Sequence, residues 1–234
     1  MMRSRFVAGL ALAFAVALAA CGDPEASQRK AFAEFLQTRI IDKPGIHVPQ
    51  LTPENRTAFG PYTDHYGVIT TFQETMNASV SPKLTAAVQG GAIRSVGDLT
   101  TRRGDIETAR GTLAAMAQAL DGALSEADTA RAKLAQPPDL KPIYDKAYAR
   151  LVTEPATVFR EVVPVADTVF KKALGLADTL QANKAKVKVS GASVQVSDRK
   201  VQDEINAKLT DLQSNQQAMQ DAQRRFQTLV YGTR

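Results

Sequence analysis

Apolar residues recur every seven positions along two stretches of this chain, a spacing that allows little except paired α-helices. Ile106, Leu113, Leu120, Ala127 and Leu134 are seven apart, and Ala109, Met116, Ala123 and Ala130 follow three places after the first four. Ile205, Leu212, Met219 and Phe226 repeat the spacing near the carboxyl end. Such positions share one seam of a helix, and alanine at the second seam position suits close antiparallel packing. The first stretch predicts a helix from about Asp98 to Gln136, roughly 58 Å long at ~1.5 Å per residue. Gly104 and Gly111 fall on its opposite face, where each costs about 1 kcal/mol against alanine. They either admit another helix closely or are merely tolerated.

The other segments read the same way. Asp23-Pro24-Glu25 is a helix start, a capping residue followed by proline at the first helical position and then an acid. Ser27 is an alternative cap, and Phe32, Phe35, Leu36 and Ile40 mark the apolar face to about Asp42. Two prolines and a glycine in Lys43–Leu51 predict an extended loop, after which Thr52-Pro53-Glu54 caps a short helix ending at Gly60-Pro61. Tyr62, Tyr66, Ile69, Met76 and Val80 recur at helical spacing beside Phe72; Ser81-Pro82 kinks this helix or starts another that ends at Gly90-Gly91. Pro137-Pro138 stops the long helix, Asp139 can cap the next, and Thr153-Glu154-Pro155 is expected to interrupt that one.

Two adjacent apolar stripes then run through Val158, Val162, Val165, Val169, Ala173, Leu176 and Leu180 and through Phe159, Val163, Ala166, Phe170, Leu174 and Ala177. A helix apolar over half its circumference belongs at the centre of a bundle, with a kink expected at Pro164. Residues 187–197 change period from 3.6 to 2. A Gly191-Ala192 turn of type II′ would pair Ser190 with Ser193, Val189 with Val194 and Val187 with Val196. An isolated hairpin is marginal in water, so its valine face is expected on the helices. The last helix is expected from Asp198 to the end. The fold class is therefore all-α, an elongated antiparallel helical bundle with one small β-hairpin before the last helix.

The amino terminus bears on location. Arg3 and Arg5 precede an uninterrupted small and apolar run, residues 6–20, which is the length of a signal-peptide core and short of the ~20 residues that span a bilayer. It ends in Leu18-Ala19-Ala20-Cys21, which matches the bacterial lipobox. That match implies removal of residues 1–20 by cleavage between Ala20 and Cys21, an S-diacylglycerol on Cys21 and acylation of its new amino group. Cys21 is the only cysteine in the chain, so no structural disulfide is possible. Cleavage removes two arginines and no acid, which lowers the formal net charge from +5 to +3. Residues 21–234 then form a single lipid-anchored helical domain outside the cytoplasm, tied to the membrane through Cys21. Nucleic acid and nucleotide cofactors are not expected partners there. Gly22 follows the cysteine where an aspartate would signal inner-membrane retention, so the default location is the inner leaflet of the outer membrane, facing the periplasm. Asp23 one place later keeps the inner membrane as the alternative.

The stretches CGDPEASQRKAFAEFLQ, GIHVPQLT and FGPYTDHY, continued more loosely by DLKPIYDKAYARLV and a hairpin before the final helix, carry a further reading. Together they resemble a family of bacterial lipoproteins known only as domain of unknown function 3053. The resemblance covers nearly the whole chain and implies no activity, cofactor or catalytic residue.

Chemistry-bearing side chains are scarce: two histidines, no tryptophan, and the single cysteine. His47, His65 and Asp64 could be imagined as a metal or acid–base site, but zinc takes three or four ligands at characteristic spacing, and histidines bonded to loop backbone are the expected reading. No serine lies in GxSxG or SxxK, so no nucleophile is assigned. The i, i+4 pairs Tyr62/Tyr66 and Tyr144/Tyr148 either line a ligand groove or fill space between helices; packing is expected. Lys171, Lys172, Lys184, Lys186 and Lys188, with only Asp178 opposing in sequence, either meet anionic headgroups or form a solvated face, and the solvated face is expected. No catalytic residue, cofactor or metal site is expected. The role expected is that of a scaffold or adaptor contacting another envelope protein, with a binding protein for a hydrophobic or anionic small ligand held between helices as the alternative.

Overall fold

A computed structural model describes residues 23–80, 82–83, 93–190 and 193–232. The expected end of a helix at Gly90-Gly91 and the Gly191-Ala192 turn lie outside the described residues, as do Cys21 and the apolar run before it. Among the described residues the fold is predominantly helical with one antiparallel hairpin. Helix α1 (Pro24–Leu36) starts where the sequence indicates, with the Asp23 carboxylate accepting from the Glu25 amide at 3.0 Å, and continues as a π turn, Gln37–Ile41. After an extended loop, α2 (Pro53–Phe59) opens on a capping box in which Thr52 and Asn55 bond each other's backbone amides. Helix α3 spans Tyr62–Ser79.

The long helix expected from Asp98 is bent into two pieces, α4 (Val96–Thr101) and α5 (Arg103–Ala132). The hydroxyls of Thr100 and Thr101 both donate to the Gly97 carbonyl, at 2.9 and 3.1 Å. Such side-chain bonds compete with the helical ladder and bend it. Ile106, Leu113, Leu120 and Ala127, with Ala109, Met116 and Ala123, are buried along α5, so the seven-residue seam is the packed face.

Helix α6 (Lys141–Tyr148) is not capped by Asp139, which instead pairs with Arg29 at 3.0 Å. Nor does Pro155 interrupt the chain. The backbone widens into a π turn, Ala149–Thr153, and proceeds directly into α7 (Glu154–Ala182). A proline at 155 has no N–H for the Leu151 carbonyl, and its ring crowds that carbonyl in a regular α-helix. The wider turn relieves the crowding, and Gln73 Nε2 supplies the missing donor to Leu151 at 2.7 Å. Pro164 likewise sits inside α7 without ending it, and Arg160, whose carbonyl loses its donor, is an exposed residue.

Helix α7 is the central element, touching α4, α5 and the two helices after the hairpin. Three ion pairs tie it to α5: Arg103 to Asp178 at 2.7 Å, Arg110 to Asp167 at 2.6 Å and Arg160 to Asp121 at 2.6 Å. As one helix ascends the other descends, which makes this an antiparallel ladder. Partly exposed pairs of this kind contribute about 0–1 kcal/mol each, so their role is to set register.

The hairpin, β1 (Val187–Ser190) and β2 (Ser193–Val196), has the register read from the sequence: Val187 opposite Val196, Val189 opposite Val194, Ser190 opposite Ser193. Its valines lie on a core formed by Leu99, Ile106, Leu176, Leu180, Val201 and Ile205. A larger aromatic core gathers α1, α2, α3, α6 and most of α5 around Phe32, Tyr66, Met116 and Tyr144. Phe170 touches both cores.

The final helix is divided as well, into α8 (Arg199–Gln213) and α9 (Gln216–Tyr231). Ser214 Oγ and Asn215 Nδ2 both donate to the Asp211 carbonyl, at 2.7 and 2.8 Å, and end the first piece.

Gly104, Gly111 and Gly122 all lie on the exposed face of α5, and a Cβ built at any of them meets nothing within 4 Å. They are tolerated and admit no neighbouring helix among the described residues. Gly111→Ala is therefore expected to raise unfolding free energy by roughly 0.5–1 kcal/mol, through helix propensity and a less flexible unfolded chain. Thermal or urea unfolding checks this, and destabilisation would show that something packs against that face.

Candidate functional site

The residues singled out in the sequence fall into three groups. His47 is exposed in the loop after α1, whereas His65 is buried within α3. The two are not brought together. The His65 ring meets Phe32, Tyr62 and Tyr144 nearly edge-on at 6.4, 5.2 and 6.2 Å, and its Nδ1 is buried without a hydrogen-bond partner. Among the described residues, no three His, Cys, Asp or Glu side chains converge as metal ligands. Burial holds the imidazole below its ordinary value of 6.5, against a smaller opposing influence of Asp64.

Folded His65 therefore resists a proton that the unfolded chain accepts below about 6.5. Stability is present above that pH and is lost as pH falls through it. His65→Phe keeps the ring volume and removes the titrating nitrogens. Urea midpoints at pH 7.5 and 5.5 are expected to differ more for the native chain than for this variant, and parallel shifts would refute the role assigned to His65.

The tyrosine pairs pack. All four rings are buried, and each hydroxyl finds an acceptor: Tyr62 on Glu25 at 3.1 Å, Tyr66 on the Pro49 carbonyl at 2.7 Å, Tyr144 on the His65 carbonyl and Tyr148 on Asp128, both at 2.8 Å. Burial pushes the hydroxyls of Tyr66, Tyr144 and Tyr148 far above the usual tyrosine range, so they stay protonated. The Arg131 guanidinium lies 4.5 Å above the Tyr148 ring, where the negative face of the π system attracts it.

The lysine cluster is partly offset by acids, one of them a neighbour one helical turn away and two brought in when the chain turns back. Lys171 meets Asp167, Lys172 meets Asp211 and Lys186 meets Asp198, each at 2.7 Å, while Asp178 is taken by Arg103. Three of the five lysines thus meet a carboxylate, Lys171 sharing Asp167 with Arg110, and the cluster is an ion-paired face rather than a concentrated basic patch.

What the sequence did not indicate is a cleft of about 890 Å³ where the loop after α1, the start of α7 and helix α9 come together. Two backbone contacts build it. The Ile46 amide donates to the Val230 carbonyl at 3.2 Å, and Gly45 adopts a φ of +67° where a Cβ would lie 2.3 Å from that same oxygen. Only glycine allows the loop to approach the helix end so closely. Arg150 reaches the cleft from the π turn, Arg224 and Arg225 from α9, and Ile46, Val158 and Leu229 supply apolar wall. Arg225 pairs with Glu161 across the helices and Arg224 with Asp221 along α9. The Arg224-Arg225 doublet is visible in the sequence, but its meeting with Arg150, more than seventy positions earlier, is created by the antiparallel return of α9 along α7.

These features define a helical-bundle protein with a hairpin and a charged cleft, and among the described residues no helix is long and apolar enough to cross a membrane. The chain belongs to the family described as Protein of unknown function (DUF3053), which matches residues 9–227. It is 31% identical over 221 residues to the Uncharacterized protein YiaF of Escherichia coli strain K12, covering 94% of this chain and 93% of that protein. The YiaF protein of Shigella flexneri matches to the same extent, with 31% identity over 221 residues. No solved structure matches the chain.

Proposed function

We propose that this protein is a lipoprotein of the bacterial envelope, anchored through Cys21, that acts without catalysis as a scaffold or adaptor for another envelope protein. The anchor reading rests on the Leu18-Ala19-Ala20-Cys21 motif after an apolar run. Helix α1 is capped at Asp23, two residues beyond that cysteine, so hardly any tether separates lipid and body. At ~3.3–3.6 Å per extended residue, the body lies against the membrane surface. The inner leaflet of the outer membrane, facing the periplasm, is the location that Gly22 favours; the inner membrane is the alternative that Asp23 keeps open.

The observation that carries the protein-contact part is the fading cover along one heptad stripe. Ile205 is 1% exposed, Leu212 is half-buried, and Met219 and Phe226 are each 39% exposed. Photo-crosslinking residues placed in living cells at exposed positions along 98–136 and 198–234 test it. The expected result is a discrete protein adduct concentrated on the α9 stripe, and no adduct at any position would overturn the reading. A second reading, a binding protein for a small hydrophobic or anionic ligand, is favoured by the cleft beside Arg150. Native mass spectrometry of the purified protein would then show a co-purifying ligand.

A further inference from the structure

We propose that the cleft between the Lys43–Ile46 loop, α7 and α9 binds an anionic amphiphile, one carboxylate or phosphate head on an aliphatic chain, and that Arg150 holds the head. The proposal rests on the ligand-binding reading above and gives it a chemistry. At about 890 Å³ the cleft is of the size that encloses small molecules, for which ~300–1,000 Å³ is usual.

Charge matching within the cleft singles out one residue. Arg225 and Arg224 are each engaged by a carboxylate, Glu161 and Asp221. Arg150 pairs with no carboxylate among the described residues. One of its terminal nitrogens donates to the Lys43 carbonyl, while its Nε is buried and has no acceptor. A guanidinium N–H withdrawn from water without a partner is unfavourable, and a carboxylate or phosphate oxygen is the acceptor whose geometry and charge suit it best.

The π turn explains how this arginine comes to be there. The turn is forced by Pro155 and adds an extra residue to the helix just where Arg150 leaves it. Ile46, Val158 and Leu229 line the same cleft and offer aliphatic surface for a chain. Glu154 also lines it but is exposed to water, and its charge disfavours a second negative group on the ligand.

The test uses the full-length protein in phosphatidylcholine nanodiscs, with empty nanodiscs as the blank, titrated calorimetrically with octanoate, octyl phosphate and octanol. At least one of the two anions is expected to bind ten or more times tighter than octanol, and the tighter one identifies a carboxylate or a phosphate source. Arg150→Gln is expected to weaken the anion by about tenfold to a hundredfold, the loss of a charge-assisted bond, with little change for octanol. Glu154→Gln is expected to tighten the anion. Val158→Asp, which leaves Arg150 in place, is expected to weaken all three probes and reports on the same cleft should Arg150→Gln not fold. Equal binding of octanol and the anions, unaffected by Arg150→Gln, would overturn the anion assignment while leaving a ligand site standing. No binding of any probe would overturn both.

Discussion

Replacing Phe32 with alanine is expected to lower the unfolding free energy by about 3–5 kcal/mol, as for other large aromatic deletions in packed cores. Phe32 has 0% of its surface exposed, and its ring lies 5.4 Å from Phe59, 6.0 Å from Tyr62 and 6.4 Å from His65. It is therefore the place where α1, α2 and α3 meet. Its removal leaves a void walled by three rigid rings on two neighbouring helices, which cannot all move inward together. The favourable ring–ring geometry also disappears, which adds to the cost of the buried apolar area. For a chain of this size the melting temperature should fall by on the order of 10 °C. Phe226→Ala, at 39% exposure, is the comparison and should cost no more than about 1.5 kcal/mol, since much of that ring is already in water. Urea unfolding followed by circular dichroism distinguishes them. Equal losses would mean that α1 is not docked as described.

The second large effect concerns the proposed anchor. Cys21→Ser is expected to abolish incorporation of radiolabelled palmitate completely and to leave the longer, uncleaved precursor. Serine presents an oxygen where diacylglyceryl transfer needs a sulfur nucleophile, and lipoprotein cleavage follows that transfer. The stake is large because each buried CH₂ contributes about 0.8 kcal/mol, so three acyl chains hold far more firmly than the single chain that binds reversibly. Label retained in the variant would refute the assignment. Asp23→Ala is a useful companion, since it removes the α1 cap without touching the residue proposed to be acylated. It should cost about 1 kcal/mol of stability and leave labelling intact.

Several elements were legible because their cause is local. The Asp23 cap, the Thr52 cap and the pairing of the hairpin all follow from residues within a few positions of one another. The seam along α5 was legible because a seven-residue repeat leaves a helix no other way to bury its apolar side. Where local reading failed, bonds that periodicity ignores were responsible. Thr100 and Thr101 bend the long helix, Ser214 and Asn215 divide the last one, and the Leu151 carbonyl finds a donor in Gln73, seventy-eight positions away. The lysine cluster looked unopposed for the same reason, because Asp211 and Asp198 come to it only after the chain has turned back.

The candidate sites divide along the same line. The Cys21 motif with its flanking small residues, and the helical character of the body, are properties of short segments, and the amino-acid order alone determines them. The cleft is not. Arg150, Arg224 and Arg225 belong to segments that share no motif, and they converge only because α9 returns antiparallel along α7 and the Gly45 backbone closes on Val230. Periodicity records which face of a helix turns inward, but says nothing of which distant face it meets. That pairing is decided by the summed packing of the whole bundle, so the Cys21 motif is legible in the chain alone and the cleft required the fold.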